Sequence, residues 1–526
     1  MASGPALTPT AGPGEILPLT GLRFPDKVAL ICGDVRLTYR QLDEASGALA
    51  VSLRSRGIQP GDVVSLYGQN SWQWIVSYHA ALRAGAVVNP VNVMLTQAEL
   101  QYVLADCKAK ALFVGAEQLP TAMAAVESSD AGVELVVTAA QTASRGAHTL
   151  TKLVDEGADA ETLFALPGPT ELCSIAYTSG TTGHPKGAMQ SHQSVLLNCA
   201  LTATMHGRSS DDVMVTALPA AHVYGNVAIN SIFLVGGTVV LMERFDAEIA
   251  LALIESERAT MFEGVPAMYS MMLAHPGFPA ATLDSLRCST VGGQTIATHV
   301  MQRWQDRTGA PLLELWGMTE MAGLGSTHAF HAPTVPGSIG VSLPGVQLRV
   351  ASLDGGDREI PVGEPGELQA RGPLVMMGYY GRPDATDEAV RSDGWLRTGD
   401  VAYVDDSGHF FVVDRLKDMI ITGGYNIYPA EIERVIAAHP DVAMVAVGRR
   451  PDETRGEVAV AFVVIRDGAT LTEEHVLEFC SRDLAAYKRP RAVVFTDALP
   501  MTSSGKIMRR KLTELDKSPV PTDATL

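Results

Sequence analysis

Cysteine is scarce: six thiols in 526 residues, with no CxxC pair and no Cys/His ligand spacing among them. That excludes a disulfide framework and a zinc site, and it implies reduced, partly buried thiols. Basic blocks are absent as well. With 40 Lys and Arg against 58 Asp and Glu, the formal net charge is −18. The chain therefore lacks the electrostatic footprint of a protein that binds a nucleic-acid duplex or an anionic membrane surface, and any polyanion must meet a local site. No stretch reaches the roughly 20 consecutive apolar residues of a membrane span. Residues 1–18 have neither a basic n-region nor an apolar h-region, so the expectation is a cytoplasmic protein with no membrane span and no nucleic-acid partner.

What is present is the texture of a globular chain, 46% hydrophobic and 19% charged, too long for one core. Residues 1–23, rich in Pro, Gly, Thr and Ala, read as a flexible N-terminal segment. From residue 24, short β-like runs (27–31, 63–67, 111–114) alternate with helical stretches (39–56, 72–84), the sign of a layered α/β domain. Between 336 and 414 the pattern turns to short segments (337–341, 347–351, 366–371) broken by Gly, Pro and Asp, which suggests a β-barrel or small sheet. A domain boundary is placed at the charged tetrapeptide Asp414-Arg415-Leu416-Lys417. Beyond it the spacing predicts a small α+β domain, with helices near 429–438 and 473–484 and strands near 443–447 and 458–464. The expected fold class is α/β: an N-terminal domain over 24–413, made of layered α/β subdomains and a β-barrel-like one, and a C-terminal α+β domain over 418–526.

The most informative stretch runs from Tyr177 to Gly187, between an apolar strand and a helix that begins at His192. Hydroxyls of Thr178, Ser179, Thr181 and Thr182 and three glycines including Gly180 can approach phosphate oxygens, and Lys186 adds a positive charge. It reads as a polyphosphate cradle rather than a linker, which would rarely join a strand to a helix with a Pro-Lys-Gly exit. Because Gly187 follows Lys186, the GxxxxGK[ST] pattern fails, and its hydroxyl ligand to magnesium does not transfer.

This loop resembles the signature of the AMP-forming adenylating superfamily, which includes acyl-CoA synthetases, luciferases and peptide-synthetase adenylation domains. Further segments resemble the family in order: 218–225 (LPAAHVYG), 314–320 (ELWGMTE), 395–400 (WLRTGD), 414–433 and 500–507 (PMTSSGKI), so that the likeness spans about residues 24 to 511. It implies an acid:CoA ligase that uses ATP, Mg2+ and coenzyme A in two half-reactions, carboxylate to acyl-AMP and then acyl-AMP to acyl-CoA. By the same resemblance Glu320 holds magnesium, while Thr319 bonds the α-phosphate or the attacking carboxylate. Glu314, Leu315, Trp316 and Gly317 line the nucleotide, with the indole where relatives have a tyrosine on adenine. Gly293 and Gln294 close its other face. Asp400 takes the ribose diol and Arg415 donates to ribose or phosphate. Lys417 is the hinge of a mobile C-terminal domain, and Lys506 reaches the reacting carboxylate and α-phosphate. His222 stands where relatives gate the thiol tunnel.

For the acid, Val223 replaces the Asp with which peptide-synthetase domains bind an amino group, and 267–273 (AMYSMML) lacks the arginine expected for malonate. A pocket lined by Tyr224, Ala228 and Met268 is apolar, which favours a medium-chain fatty acid or an aryl or cycloalkyl acid. For the acceptor, Gly423 and Gly424 resemble the pantetheine loop, and Arg244 a basic residue near the CoA phosphates. Carrier-protein ligases and luciferase-like enzymes share much of this pattern, and a non-catalytic adenylate-binding module is the alternative from another class. A homodimer is compatible with all of these.

Overall fold

The computed structural model describes residues 12–128, 132–142, 146–158, 164–178, 185–353, 355, 358–423, 425–452, 454–466, 468–501 and 507–515. By internal contacts the chain divides into two compact units: the first comprises Met1–Leu348 with Ala370–Leu396, the second Arg349–Gln369 with Arg397–Leu526.

The first unit holds two large sheets. In one, Leu312–Met318, Cys288–Val291, Met261–Gly264, Val213–Thr216, Thr238–Leu241 and Val28–Cys32 are successive parallel neighbours, edged by the antiparallel strands Gly323–Thr327 and Val35–Thr38. In the other, Leu172–Thr178, Val87–Val91, Val63–Tyr67, Ala109–Val114 and Leu135–Thr138 run parallel in that order. Strands covered on both faces are mostly apolar along their length rather than alternating. All five residues of Val63–Tyr67 are accordingly buried. Under the first sheet Tyr269 and Trp304 meet edge to face with ring centroids 4.9 Å apart, anchoring a core that includes Phe262, Met272 and Phe278. The helix Tyr39–Ser55 starts at Thr38, whose hydroxyl accepts from Gln41 N–H while Gln41 returns a bond to the Thr38 backbone.

Two expectations fail here. Residues 13–23 are not a flexible lead-in: Pro13–Glu15 and Ile16–Arg23 are helical, with Ile16 and Leu17 buried in the core. The Pro/Gly-rich composition of the segment masked these two apolar anchors. Residues 337–341 are not a strand either, apart from Val341, because Gly337 and Gly340 sit at φ +81 and +79, in the left-handed region.

The second unit contains the strands Gln347–Ala351, Gly366–Arg371, Leu396–Val404 and Phe410–Arg415, neighbours in that order, for the greater part of their length. A further sheet orders Tyr425–Ile427, Ile420–Thr422, Gly456–Ile465 and Val442–Asp452, with Ala492–Phe495 parallel to Gly456–Ile465. The helices Pro429–Ala437 and Glu473–Asp483 add Ile432, Ile436, Val476 and Cys480 to its core. By contacts Arg397–Lys417 groups with the second unit, where Leu396–Val404 pairs with Phe410–Arg415 through Asp400↔Arg415 and Val401↔Asp414.

All six cysteines are free, and all but Cys32 are buried. Burial pushes the thiols of Cys107, Cys199 and Cys288 up to about 12 and that of Cys480 up to about 11. Among the described residues no helix is long and apolar enough to cross a membrane.

Candidate nucleotide and acyl site

The glycine-rich loop is closed at its base by antiparallel pairing of Leu172–Thr178 with Lys186–Ser191, ending at Thr178↔Lys186. Gly187 has no room for a side chain: a Cβ there would lie 2.6 Å from Ile175 and 3.1 Å from the Tyr177 ring. Ser179, Gly180, Thr181 and Thr182 lie outside the described residues. The Lys186 ammonium stands 5.3 Å from the ring centroid of Tyr379. The Tyr379 hydroxyl donates to Glu320 Oε1 at 2.8 Å. Burial, with the Glu320 carboxylate beside it, pushes the Tyr379 hydroxyl above its ordinary pKa. Gln190, oriented by the Ser174 hydroxyl at 2.6 Å, donates to the Thr319 carbonyl at 2.8 Å, and Met376 N–H donates to the Glu320 carbonyl at 2.8 Å. Thr319 and Glu320 are thus pinned by their backbone, and Lys186, Tyr379 and Glu320 form one line. Gln190 and Tyr379 carry no signal in the sequence. Tyr379 lies 59 positions from Glu320, and the pairing of Gly378–Tyr379 with Lys186–Ser191, together with the Met376–Glu320 bond, brings it there.

The strand Leu312–Met318 changes partner midway. Parallel pairing with Cys288–Val291 runs through Glu314, and antiparallel pairing with Gly323–Thr327 begins at Leu315. Gly317 is required by that approach, since a Cβ would fall 2.1 Å from the Gly323 carbonyl oxygen. Trp316 is buried with its ring against Gly325, whereas Gly293, at φ +86, and Gln294 are exposed. The Glu314 carboxyl accepts from Gly337 N–H at 2.8 Å, and burial pushes it up to about 8.

A carboxyl whose folded pKa is raised stabilises the fold fully below its unfolded pKa, near 4.5, and loses that contribution as pH rises through 8. Glu314→Gln, which keeps an acceptor for Gly337, should therefore gain Tm relative to the parent as pH goes from 5 to 8. Melting curves in parallel buffers check this, and a constant difference across the range would rule it out.

His222 caps the helix Val223–Val235, its Nδ1 accepting from Tyr224 N–H at 3.3 Å. Tyr224 is buried and shares a 2.8 Å hydrogen bond between its hydroxyl and Thr290 Oγ1. Ala228, one turn on, is also buried. Met268 is half-buried on the helix Pro266–Ala274, whose Tyr269 hydroxyl donates to the Thr290 carbonyl at 2.6 Å. The two helices carrying the predicted pocket residues therefore converge on Thr290. Arg244 is exposed and paired with Glu117.

In the second unit Asp400 is buried, and Arg415 Nε stands 2.6 Å from its Oδ1 on the facing strand. Lys417 is exposed. Gly423 turns at φ +55, its N–H donating to the Arg455 carbonyl at 2.8 Å. Gly424 and Lys506 lie outside the described residues.

Comparison with known proteins gives a family model described as "AMP-binding enzyme" over residues 20–380 and one described as "AMP-binding enzyme C-terminal domain" over 431–506. The chain is 39% identical to a feruloyl-CoA synthase of Amycolatopsis sp, covering 92% of this chain and 95% of the relative. It is 38% identical to an indoleacetate–CoA ligase of Aromatoleum aromaticum, covering 94% and 95%. The crystal structure of the anthranilate CoA ligase AuaEII with anthranoyl-AMP superposes with a TM-score of 0.90 at 26% identity, over 97% of this chain and 98% of that one.

Proposed function

The chain belongs to the AMP-binding enzyme family and is an ATP-dependent, AMP-forming acyl- or aryl-CoA ligase, and from that premise we propose that its acid is an apolar monocarboxylate, an aryl acid first and a medium-chain fatty or cycloalkyl acid next. The observation that carries this reading is the meeting of two uncharged helices on Thr290, Val223–Val235 and Pro266–Ala274 (PAMYSMMLA), with Tyr224 and Ala228 buried on the first. Neither helix carries a charged side chain, and the Arg208 and Glu263 charges beside the first are already paired with each other, so a second carboxylate finds no free cation there and an ammonium no free anion. The similarity to ligases named for ferulate and indoleacetate points the same way.

In this reading the Thr178–Lys186 loop holds the ATP phosphates, Glu314–Gly317 with Gly293 and Gln294 hold the adenine, and Asp400 with Arg415 takes the ribose. Thr319 orients the α-phosphate or the carboxylate. Among the described residues no cluster of three acidic, His or Cys side chains could hold a metal. A magnesium ion, a hard cation suited to oxygen donors, would draw on the Glu320 carboxylate, phosphate oxygens and water, and would neutralise phosphate charge. His222 gates the thiol, and Arg244 with Gly423 and Gly424 serves coenzyme A. Asp414–Lys417 is the hinge between residues 24–413 and 418–526.

The test is a carboxylic-acid panel scored by CoA-dependent AMP formation. Arylalkanoates and medium-chain monocarboxylates should outrank acetate, malonate and free amino acids. Malonate or an amino acid at the head of the panel would overturn the assignment.

A further inference from the structure

His206 and Arg208 follow the helix His192–Met205, with Gly207 between them at φ +57, and both side chains enter the interior. Neither belongs to a segment that resembles the family signature. The Arg208 guanidinium can only donate. Its Nη1 donates to the Ala228 carbonyl at 2.9 Å and to Ser231 Oγ at 2.6 Å, while Nη2 donates to Glu263 and, at 3.1 Å, to His206 Nδ1. With Nδ1 an acceptor, the neutral imidazole carries its proton on Nε2, which donates to Thr327 Oγ1 at 2.9 Å. The Thr327 hydroxyl proton is then free to donate to the Glu314 carbonyl at 3.2 Å. The direction of each bond follows from the one before it. His206 is wholly buried, and burial together with Arg208 holds its pKa well below the ordinary value, so the ring stays neutral. A second bond reaches the same carbonyl: Val335 N–H donates to His328 Nε2 at 3.2 Å, leaving His328 Nδ1–H to donate to Glu314 O at 3.3 Å.

The place where this chain of bonds ends decides what it can do. Glu314 is the residue at which its strand passes from Cys288–Val291 to Gly323–Thr327, and Leu315–Gly317 follow immediately. The place where it starts is the helix of the acyl pocket. We propose that Arg208, His206 and Thr327 are positioning residues for adenylation, a one-way hydrogen-bond relay that ties the helix Val223–Val235 to the Glu314 carbonyl and sets the position of Leu315–Gly317 for the nucleotide. The inference rests on assigning Glu314–Gly317 to adenine and the helix to the acid.

The experiment is pyrophosphate release with ATP varied at a saturating concentration of the best acid of the panel. Thr327→Val, close in shape, should raise KM for ATP roughly five- to tenfold, the scale of one buried hydrogen bond, with kcat within about twofold of the parent. Thr327→Ser should restore it. His206→Asn, which loses the Nε2–H donor, should behave as Thr327→Val does, and the double variant should be no worse than the poorer single, because a relay broken once is already broken. The relay is overturned if both singles leave KM for ATP unchanged, if their effects multiply in the double variant, or if Thr327→Ser is as impaired as Thr327→Val. Should Thr327→Val fail to melt cooperatively, His206→Asn decides by the same readout. A parent protein that releases no pyrophosphate with any acid removes the functional reading itself, and the relay with it, an outcome distinct from an active parent with silent variants.

Discussion

Given the role that the family resemblance implies for Lys506, Lys506→Ala should lower acyl-adenylate formation by about 10²- to 10³-fold, the scale of removing one electrostatic interaction from a transition state, while transfer from supplied acyl-AMP to coenzyme A should survive. The first half-reaction brings a carboxylate against an α-phosphate, two anions whose repulsion an ammonium offsets as the new bond forms. The second half-reaction has no such pair, since the adenylate is already activated and the nucleophile is a thiol. Lys417→Pro should fail in the opposite sense: proline fixes φ at the proposed hinge, so adenylation proceeds and thioester formation stalls. Single-turnover pyrophosphate release set beside acyl-CoA formation from synthetic adenylate separates the two steps. Equal slowing of both steps by either variant, in folded protein, would sink the alternation of roles.

Arg208→Ala should cost about 3–5 kcal/mol of stability, the range found when one partner of a buried ion pair is removed. The side chains of Arg208 and Glu263 are fully buried, and burial already raises the Glu263 carboxyl, with Arg208 the main opposing influence. Without the guanidinium, Glu263 must ionise unpaired in the interior or carry a proton, and the Ala228 carbonyl and Ser231 hydroxyl lose their donor. The loss is asymmetric. Replacing both members, as in Arg208→Met with Glu263→Leu, should recover most of the stability, because no buried charge remains. Urea unfolding of the three proteins measures this, and a double variant less stable than Arg208→Ala would contradict it.

Much of the fold was legible because its strands and helices announce themselves locally. Tyr39–Ser55, Trp72–Arg83 and Pro429–Ala437 follow the predicted spans to within a residue, and Val63–Tyr67 coincides with its own. Each is either a helix-length run free of internal proline or a short, mostly apolar run bounded by turns. Residues 337–341 misled because glycines with apolar neighbours resemble a short strand when φ is unknown. The site divides along the same line. Lys186, Glu320 and Asp400 stand in contiguous motif segments, so their neighbours in sequence are enough to single them out as candidates. Gln190, Tyr379, His206 and Thr327 bond to partners that only the folded chain supplies, as when His206 meets Thr327 across 121 positions. No spacing rule encodes such a meeting.

The buried cysteines bear on chemistry in which they take no part. Thiol–disulfide exchange proceeds through the thiolate, and a thiol near 12 is ionised on the order of one part in 10⁵ at neutral pH. Cys107, Cys199 and Cys288 are held there by burial. A ligase whose co-substrate is itself a free thiol works beside a reagent that, once oxidised, readily forms mixed disulfides with its host. Those three sulfurs are silent toward an oxidised pool of that co-substrate, which leaves the half-buried Cys32 as the thiol through which such a pool could mark the protein.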